Sequence, residues 1–289
     1  MQNEPSMHLC LLAHCISVPS SPPPLTHSEL FIPLNDLDRL LGQLSEGQFK
    51  FCLPNAVPSE APKTCSFTFD DGYVNNTHFL SLAEKYRLPF VLFVNSINIE
   101  QQLPFLWDAN MMTSVSWRFW SDDYREAYRS LDPSTVKRLL AEDNHRPFRL
   151  SELQAFSANK WAHLALHTHS HQPLVGCHIH QTATELNTNL KFLQPFPRAL
   201  TRDLALPCGL YTRRTTRHLL NNKIVDRIYT IDGGKMDLNK SIVSRISLIN
   251  PLMGGDLMSQ IKKTCSWRAK LRKQIVRICY SSLLQNRFG

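Results

Sequence analysis

No apolar run in this 289-residue chain approaches the ~20 residues that a membrane-spanning helix needs. Among its eight cysteines (Cys10, Cys15, Cys52, Cys65, Cys177, Cys208, Cys265 and Cys279) there is no CxxC pair, which excludes a zinc ribbon or a dithiol redox motif. Scattered thiols in a chain of this size are expected to be reduced and mostly buried. There is no dominant low-complexity tract and no internal repeat, which sets aside a disordered or repeat protein. A basic n-region is also missing: residues 1–7 are polar and carry Glu4, and the apolar stretch at 9–18 is interrupted by His14 and two cysteines. The expectation is a cytoplasmic protein. Acidic residues are absent from 257–289, where eight basic ones stand (Lys262, Lys263, Arg268, Lys270, Arg272, Lys273, Arg277 and Arg287). The formal charge of +8 is thus a basic tail on a body, residues 1–256, that is close to neutral. No recognised nucleic-acid module accompanies that charge, so nucleic-acid binding is not expected.

What is present alternates between two periods. Residues 64–69 read as a β-rich strand that stops at Asp70-Asp71-Gly72, and the apolar run at 89–94 reads as a buried parallel strand. Further strands are predicted at 161–166, 202–206, 227–231 and 241–249. Helical spacing occurs at 30–44, from Thr77 as N-cap through Tyr86, at 134–140, at 182–193 and at 212–221. Residues 101–147 show helical spacing only in part and are read as an insertion forming a rim or lid. Strand–helix alternation predicts an α/β fold with a parallel sheet, and unusual polar residues follow the strands ending at Phe69, Leu166 and Leu206. In α/β barrels chemistry is mounted at the C-terminal ends of strands.

Asp70 and Asp71 are adjacent, so one carboxylate can ligate a metal while the other faces a substrate. Taken alone, Asp-Asp-Gly also reads as a turn. The run His167-Thr-His-Ser-His171 places two imidazoles four residues apart, on one side of a helical turn, where both can reach one divalent ion. Surface histidines are the plainer reading of the pair. Five of the twelve histidines, however, fall within residues 167–180. His169, two residues from either neighbour, is expected to be exposed or to support the other two. His14 is either a site residue or a hydrogen-bonded core histidine. Trp107 and Asp108 either line a cleft or pack beneath the insertion.

Thr68-Phe-Asp-Asp-Gly72, then His167-Thr-x-x-His171 before Pro173-Leu174, then Leu206-Pro-Cys-Gly209 resemble the ordered motifs of polysaccharide deacetylases, the NodB-homology fold of carbohydrate esterase family 4. Leu11-Leu-Ala-His14 upstream and Arg245-Ile246 downstream extend the resemblance to about residues 8–250. The resemblance implies a distorted (β/α) barrel in a single domain and a metal-dependent hydrolase of a non-peptide amide bond. Its substrate would be an N-acetylated sugar of a polysaccharide, oligosaccharide or lipid-linked glycan. Asp70 matches the catalytic base; Asp71, His167 and His171 match the metal ligands. The backbone N–H of Cys208 matches a donor to the oxyanion. Zinc suits two histidines and a carboxylate, with nickel, cobalt and iron compatible.

Two departures from the family pattern stand out. The third motif carries no arginine before Pro207, and Arg245 can supply that positive charge from another strand. No histidine follows His218, so the family's general acid must be replaced by Asp70 after it takes a proton, or by His14. The alternative is a catalytically weak or inactive relative that binds metal or sugar. Domain boundaries are read as a barrel over 1–256 and a basic amphipathic helix or tail over 257–289. In that tail Trp267, Leu271, Ile275 and Ile278 recur at helical spacing. Such a helix either packs on the barrel or makes peripheral contact with an anionic membrane surface at its inner face. Oligomeric state is not indicated.

Overall fold

The apolar runs pair into one parallel sheet in the computed structural model, which describes residues 6–23, 27–58, 60–109 and 124–266. In chain order the strands are β1 (Met7–Ala13), β2 (Cys15–Ser17), β3 (Phe31–Pro33), β4 (Lys50–Phe51), β5 (Lys63–Phe69) and β6 (Phe90–Val94). They continue as β7 (Ala162–Leu166), β8 (Leu200–Ala205), β9 (Arg227–Thr230), β10 (Ile242–Ser244) and β11 (Ile246–Ser247). The helices are α1 (Leu34–Glu46), α2 (Phe79–Tyr86), α3 (Ser96–Gln101), α4 (Tyr124–Arg129) and α5 (Pro133–Leu140). After them come α6 (Leu150–Ala158), α7 (Ile179–Leu193), α8 (Arg213–Asn221), α9 (Pro251–Gly254) and α10 (Leu257–Cys265).

The sheet runs β10-β9-β8-β7-β6-β5-β1-β11, every pair parallel, with β4 beside β5. β10 and β11 stand at opposite ends of this order, yet only Arg245 separates them in sequence. Residues flanking a single residue are at most ~7 Å apart. The sheet must therefore curl until its edges meet, which makes a distorted, nearly closed (β/α) barrel. The strand expected over 241–249 is broken at Arg245 for this reason, because the chain changes edges there.

Period-two alternation sorts the barrel's two faces. Phe90, Leu92 and Val94 of β6 join the large core shared with the helices, whereas Val91 and Phe93 join a smaller one with Cys10, Ala165, Ala205, Tyr229 and Val243. The small residues of that inner set leave room for Arg245, which is wholly buried with its guanidinium 5.2 Å from the Phe93 ring centre. Outside, α1 buries Leu37, Leu40, Leu41 and Leu44. It starts four residues later than the spacing suggests: residues 28–30 form a 3-10 turn, and Phe31–Pro33 pairs with Cys15–Ser17. Thr77 does not cap α2. Its hydroxyl donates to the Val74 carbonyl inside a 3-10 turn, and α2 begins at Phe79.

The expected insertion contains α4 and α5, the latter capped by Asp132, whose carboxylate accepts the Thr135 N–H, with Pro133 in the first turn. It returns to the rim at Pro147, which bridges Tyr73, and at Phe148, whose N–H donates to the Gly72 carbonyl. α10 sends Leu257 and Ile261 into the same core as the leucines of α1, so the residue-257 boundary falls at the start of a helix that belongs to the barrel. Trp267, Leu271, Ile275 and Ile278 lie outside the described residues. Among the described residues Cys10, Cys15, Cys52, Cys65 and Cys208 are free thiols, and no helix is long and apolar enough to cross a membrane.

Candidate metal centre and active site

Three turns, each leaving the C-terminal end of a strand, build the site, and each contains backbone in the left-handed region. After β5, Asp71 has φ 78° and Gly72 φ 96°. A side chain at 72 would be strained by that φ, and its Cβ would sit 3.2 Å from Val94 Cγ1. After β7, Thr168 has φ 65° and His171 φ 60°. After β8, Cys208 has φ 55° and Gly209 φ 64°, and a Cβ on Gly209 would meet Ile231 Cγ1 at 2.3 Å. Left-handed backbone in a β-branched residue such as Thr168 costs free energy and persists only where its surroundings over-determine it.

The surroundings of the 167–171 loop are supplied by α7. Glu185 accepts both the Ser170 N–H (2.8 Å) and the Ser170 hydroxyl (3.0 Å). Asn189 accepts the His167 N–H (3.0 Å) and donates to the Val94 carbonyl (3.0 Å), tying the loop to β6. The loop is not the helical turn that i, i+4 spacing suggests. Two left-handed residues fold it back, and the two imidazole centres still come within 4.8 Å, edge to face.

Both imidazoles meet Asp71. His167 Nε2 lies 3.3 Å and His171 Nε2 3.4 Å from Asp71 Oδ1, and the three ligand atoms all fall within 4.8 Å of one another. His167 Nδ1 is 2.9 Å from the Ala205 carbonyl. A carbonyl only accepts, so Nδ1 carries a proton and, in the neutral ring, the Nε2 lone pair faces the carboxylate. Two such lone pairs at that separation need a proton or a cation between them. Asp71 Oδ1 accepts no hydrogen bond among the described residues, and all three side chains are buried. The donor set and its orphaned oxygen therefore fit a divalent ion.

Asp70 faces the barrel interior beside the trio, its Oδ2 3.9 Å from His167 Nε2. Arg245 grips it with both nitrogens, Nη1 to Oδ1 at 2.6 Å and Nη2 to Oδ2 at 2.8 Å, and Nη1 also donates to Thr68 Oγ1 at 3.3 Å. Burial alone would push the Asp70 carboxyl up, but the Arg245 guanidinium, followed by His167, holds it down at about 2. Burial likewise raises Asp71, yet His167, His171 and His14 bring it below the ordinary carboxylate value. His171 is driven down to about 3, chiefly by burial. His167 is lowered by burial but raised more by Asp70 and Asp71, ending above its ordinary value.

Asp70, Asp71, His167, His171 and Arg245 thus converge, and Cys208 stands exposed in the turn after β8, whose last residue holds His167. His14, half-buried at the end of β1, interacts electrostatically with both aspartates, and its carbonyl accepts from Asn76 (2.7 Å). His169 supports the loop, with Nδ1 2.8 Å from Ser96 Oγ. Trp107 packs at 4.7 Å from the His171 ring, while Asp108 is buried and accepts the Tyr73 hydroxyl at 2.8 Å instead of facing a cleft. Tyr73, Glu185 and Asn189 escaped the sequence reading. Asn189 left one signal, a polar residue in register with Leu186 and Leu193 on the apolar face of α7.

A family model described as polysaccharide deacetylase matches residues 58–224. No curated relative matches the chain. Among solved structures, the deacetylase PplD of Streptococcus pyogenes, determined with acetate, aligns at a TM-score of 0.61 and 15% identity, covering 91% of this chain and 100% of its own. IcaB from Ammonifex degensii aligns at 0.59 and 15% identity, covering 90% and 98%. BC0361, a polysaccharide deacetylase from Bacillus cereus, aligns at 0.61 and 12% identity, covering 89% and 69%. At such identities the solved structures share the fold, while the family model spans more than half of the sequence and includes both the Asp-Asp-Gly turn and the histidine loop. The chain belongs to the polysaccharide deacetylase family.

Proposed function

We propose that this protein is a metal-dependent hydrolase that removes the acetyl group from an N-acetylated sugar of a polysaccharide, oligosaccharide or lipid-linked glycan. The observation that carries this reading is the buried trio Asp71, His167 and His171, beside a second buried carboxylate clamped by an arginine. A divalent ion held by that trio supplies a Lewis acid for the amide carbonyl and lowers the pKa of a water, since three protein ligands leave positions open. Zinc fits the ligand set best; nickel, cobalt and iron are compatible with it.

The chain's own residues supply the rest. Asp70 is ionised at neutral pH because the Arg245 guanidinium stabilises its charge, so it has a site to take a proton from the attacking water. Arg245 fixes both carboxylate oxygens and thereby aims the base. The proton then held on Asp70 is available to the leaving amine, with His14 as the second candidate donor. The backbone N–H of Cys208 donates to the developing oxyanion, and as a main-chain group it survives any side-chain change at 208. The basic stretch of 257–289 suits a cytoplasmic enzyme that meets a lipid-linked glycan at an anionic surface.

Acetate release from chitooligosaccharides and from a lipid-linked N-acetylated sugar, with elemental analysis of the same preparation, tests the proposal. About one divalent ion per chain is expected. Asp70→Asn should lower turnover by roughly a hundredfold or more, the contribution of a positioned general base. Arg245→Ala should lower turnover with metal retained. Protein that takes up no ion, or Asp70→Asn as active as the parent, overturns the reading; unchanged turnover in Arg245→Ala removes Arg245 from the mechanism.

A further inference from the structure

The two imidazoles of the metal trio are supported in different ways. A metal-ligating histidine ordinarily donates its second ring N–H to a carbonyl or carboxylate, which fixes the ring's orientation. His167 does so through the Ala205 carbonyl at 2.9 Å. His171 does not: its Nδ1 is buried and has no hydrogen-bond partner among the described residues. On its other sides the His171 ring is flanked by aromatic rings. Trp107 lies 4.7 Å away, centre to centre, at 57°, and Tyr124 lies 6.4 Å away at 31°.

Trp107 is itself held by a chain of bonds that can run only one way. Indole Nε1 is purely a donor, and it lies 2.7 Å from the Tyr73 hydroxyl. The Tyr73 oxygen must accept there, which directs its own single proton to Asp108 Oδ2 at 2.8 Å. Phe105 completes the support: it stacks on Trp107 at 5.3 Å and 20°, and packs on Tyr73 at 4.0 Å. Tyr73 lies two residues beyond Asp71, so the metal-binding carboxylate and the anchor of Trp107 belong to the same turn.

We infer that Trp107 is a positioning residue, locked by the Tyr73–Asp108 chain so that its ring orients the metal ligand His171, whose Nδ1 meets no acceptor among the described residues. The inference rests on the metal reading above and assigns a role to three residues outside the ligand set. In catalytic terms Trp107 acts through His171.

Cobalt(II) serves as the probe, because its affinity and its d–d absorption both report on how the ligands are held. The parent chain should bind cobalt with a defined d–d spectrum; failure to bind would overturn the metal reading and this inference with it. Trp107→Leu should weaken cobalt binding by about tenfold or more, the scale of losing an orienting partner, and alter the spectrum. Tyr73→Phe keeps the volume and the Phe105 contact but cuts the chain, and should shift affinity and spectrum in the same direction by less. Thermal unfolding of the metal-free variants separates loss of fold from loss of orientation. If Trp107→Leu and Tyr73→Phe both bind cobalt as the parent does, with its spectrum, the inference is wrong while the metal reading stands.

Discussion

His167 and His171 reach the same carboxylate oxygen from environments that pull their proton affinities apart. The His171 ring is driven down to about 3 by burial, so it is neutral and ready to ligate throughout the neutral and mildly acid range. His167 sits nearer both aspartates and is raised above 6.5 in the metal-free protein. Metal binding must then displace a proton from His167 alone. The sign follows: affinity is flat above the raised His167 value and falls as pH drops below it. Metal titrations from about pH 6.5 down to pH 5 should show roughly a tenfold loss per pH unit, the slope for one competing proton. A slope of two protons would mean that His171 protonates as well, and a slope of zero that His167 is already neutral. Asp71, lowered below 3.8, stays ionised across this window and adds no slope.

At the scale of elements, α7 is a support strut as much as a covering helix. Its apolar face was readable from the leucines at 186, 190 and 193, but Asn189 interrupts that face with a side chain that bridges β6 and the histidine loop. Asn189→Leu would fill the same space and leave the His167 N–H and the Val94 carbonyl buried without partners. Each such group costs about 1–3 kcal/mol, so a destabilisation of roughly 2–6 kcal/mol is expected in denaturant unfolding of the metal-free protein. A change of less than about 1 kcal/mol would show that water or another group satisfies both. The same comparison explains why the histidine loop was misread as helical. Spacing of four residues brings side chains together in a helix, but it also does so in a loop with two left-handed residues, and no one-dimensional pattern distinguishes the two. The Asp-Asp-Gly turn was easier, because glycine at 72 is what a left-handed residue pressed against Val94 requires.

For the whole molecule, the decisive feature is closure. The sheet's two edges are joined through Arg245, and the residue at the seam is the one whose guanidinium enters the barrel to reach Asp70. Closure also places the C-terminal region. α10 contributes Leu257 and Ile261 to the core, so a truncation meant to examine the basic tail has to begin after it. Removal of 267–289 is expected to reduce sedimentation with anionic liposomes. Removal of 257–289 should in addition cost roughly 3–6 kcal/mol, the burial of two large aliphatic side chains. Equal liposome binding with and without 267–289 would take the tail out of any membrane role.

The linear order of residues determined the strand–helix alternation, the fold class and the identities of two aspartates and two histidines as candidate site residues, because apolar periodicity and motif spacing are local and survive without contacts. Arg245 was reachable from sequence only as a charge in search of a place. Which oxygen the histidines share, which carboxylate the arginine takes and which rings flank His171 were decided by tertiary structure. Those relations join residues as far apart as 70 and 245, and distances across a barrel are set by how its edges close, which no local pattern encodes.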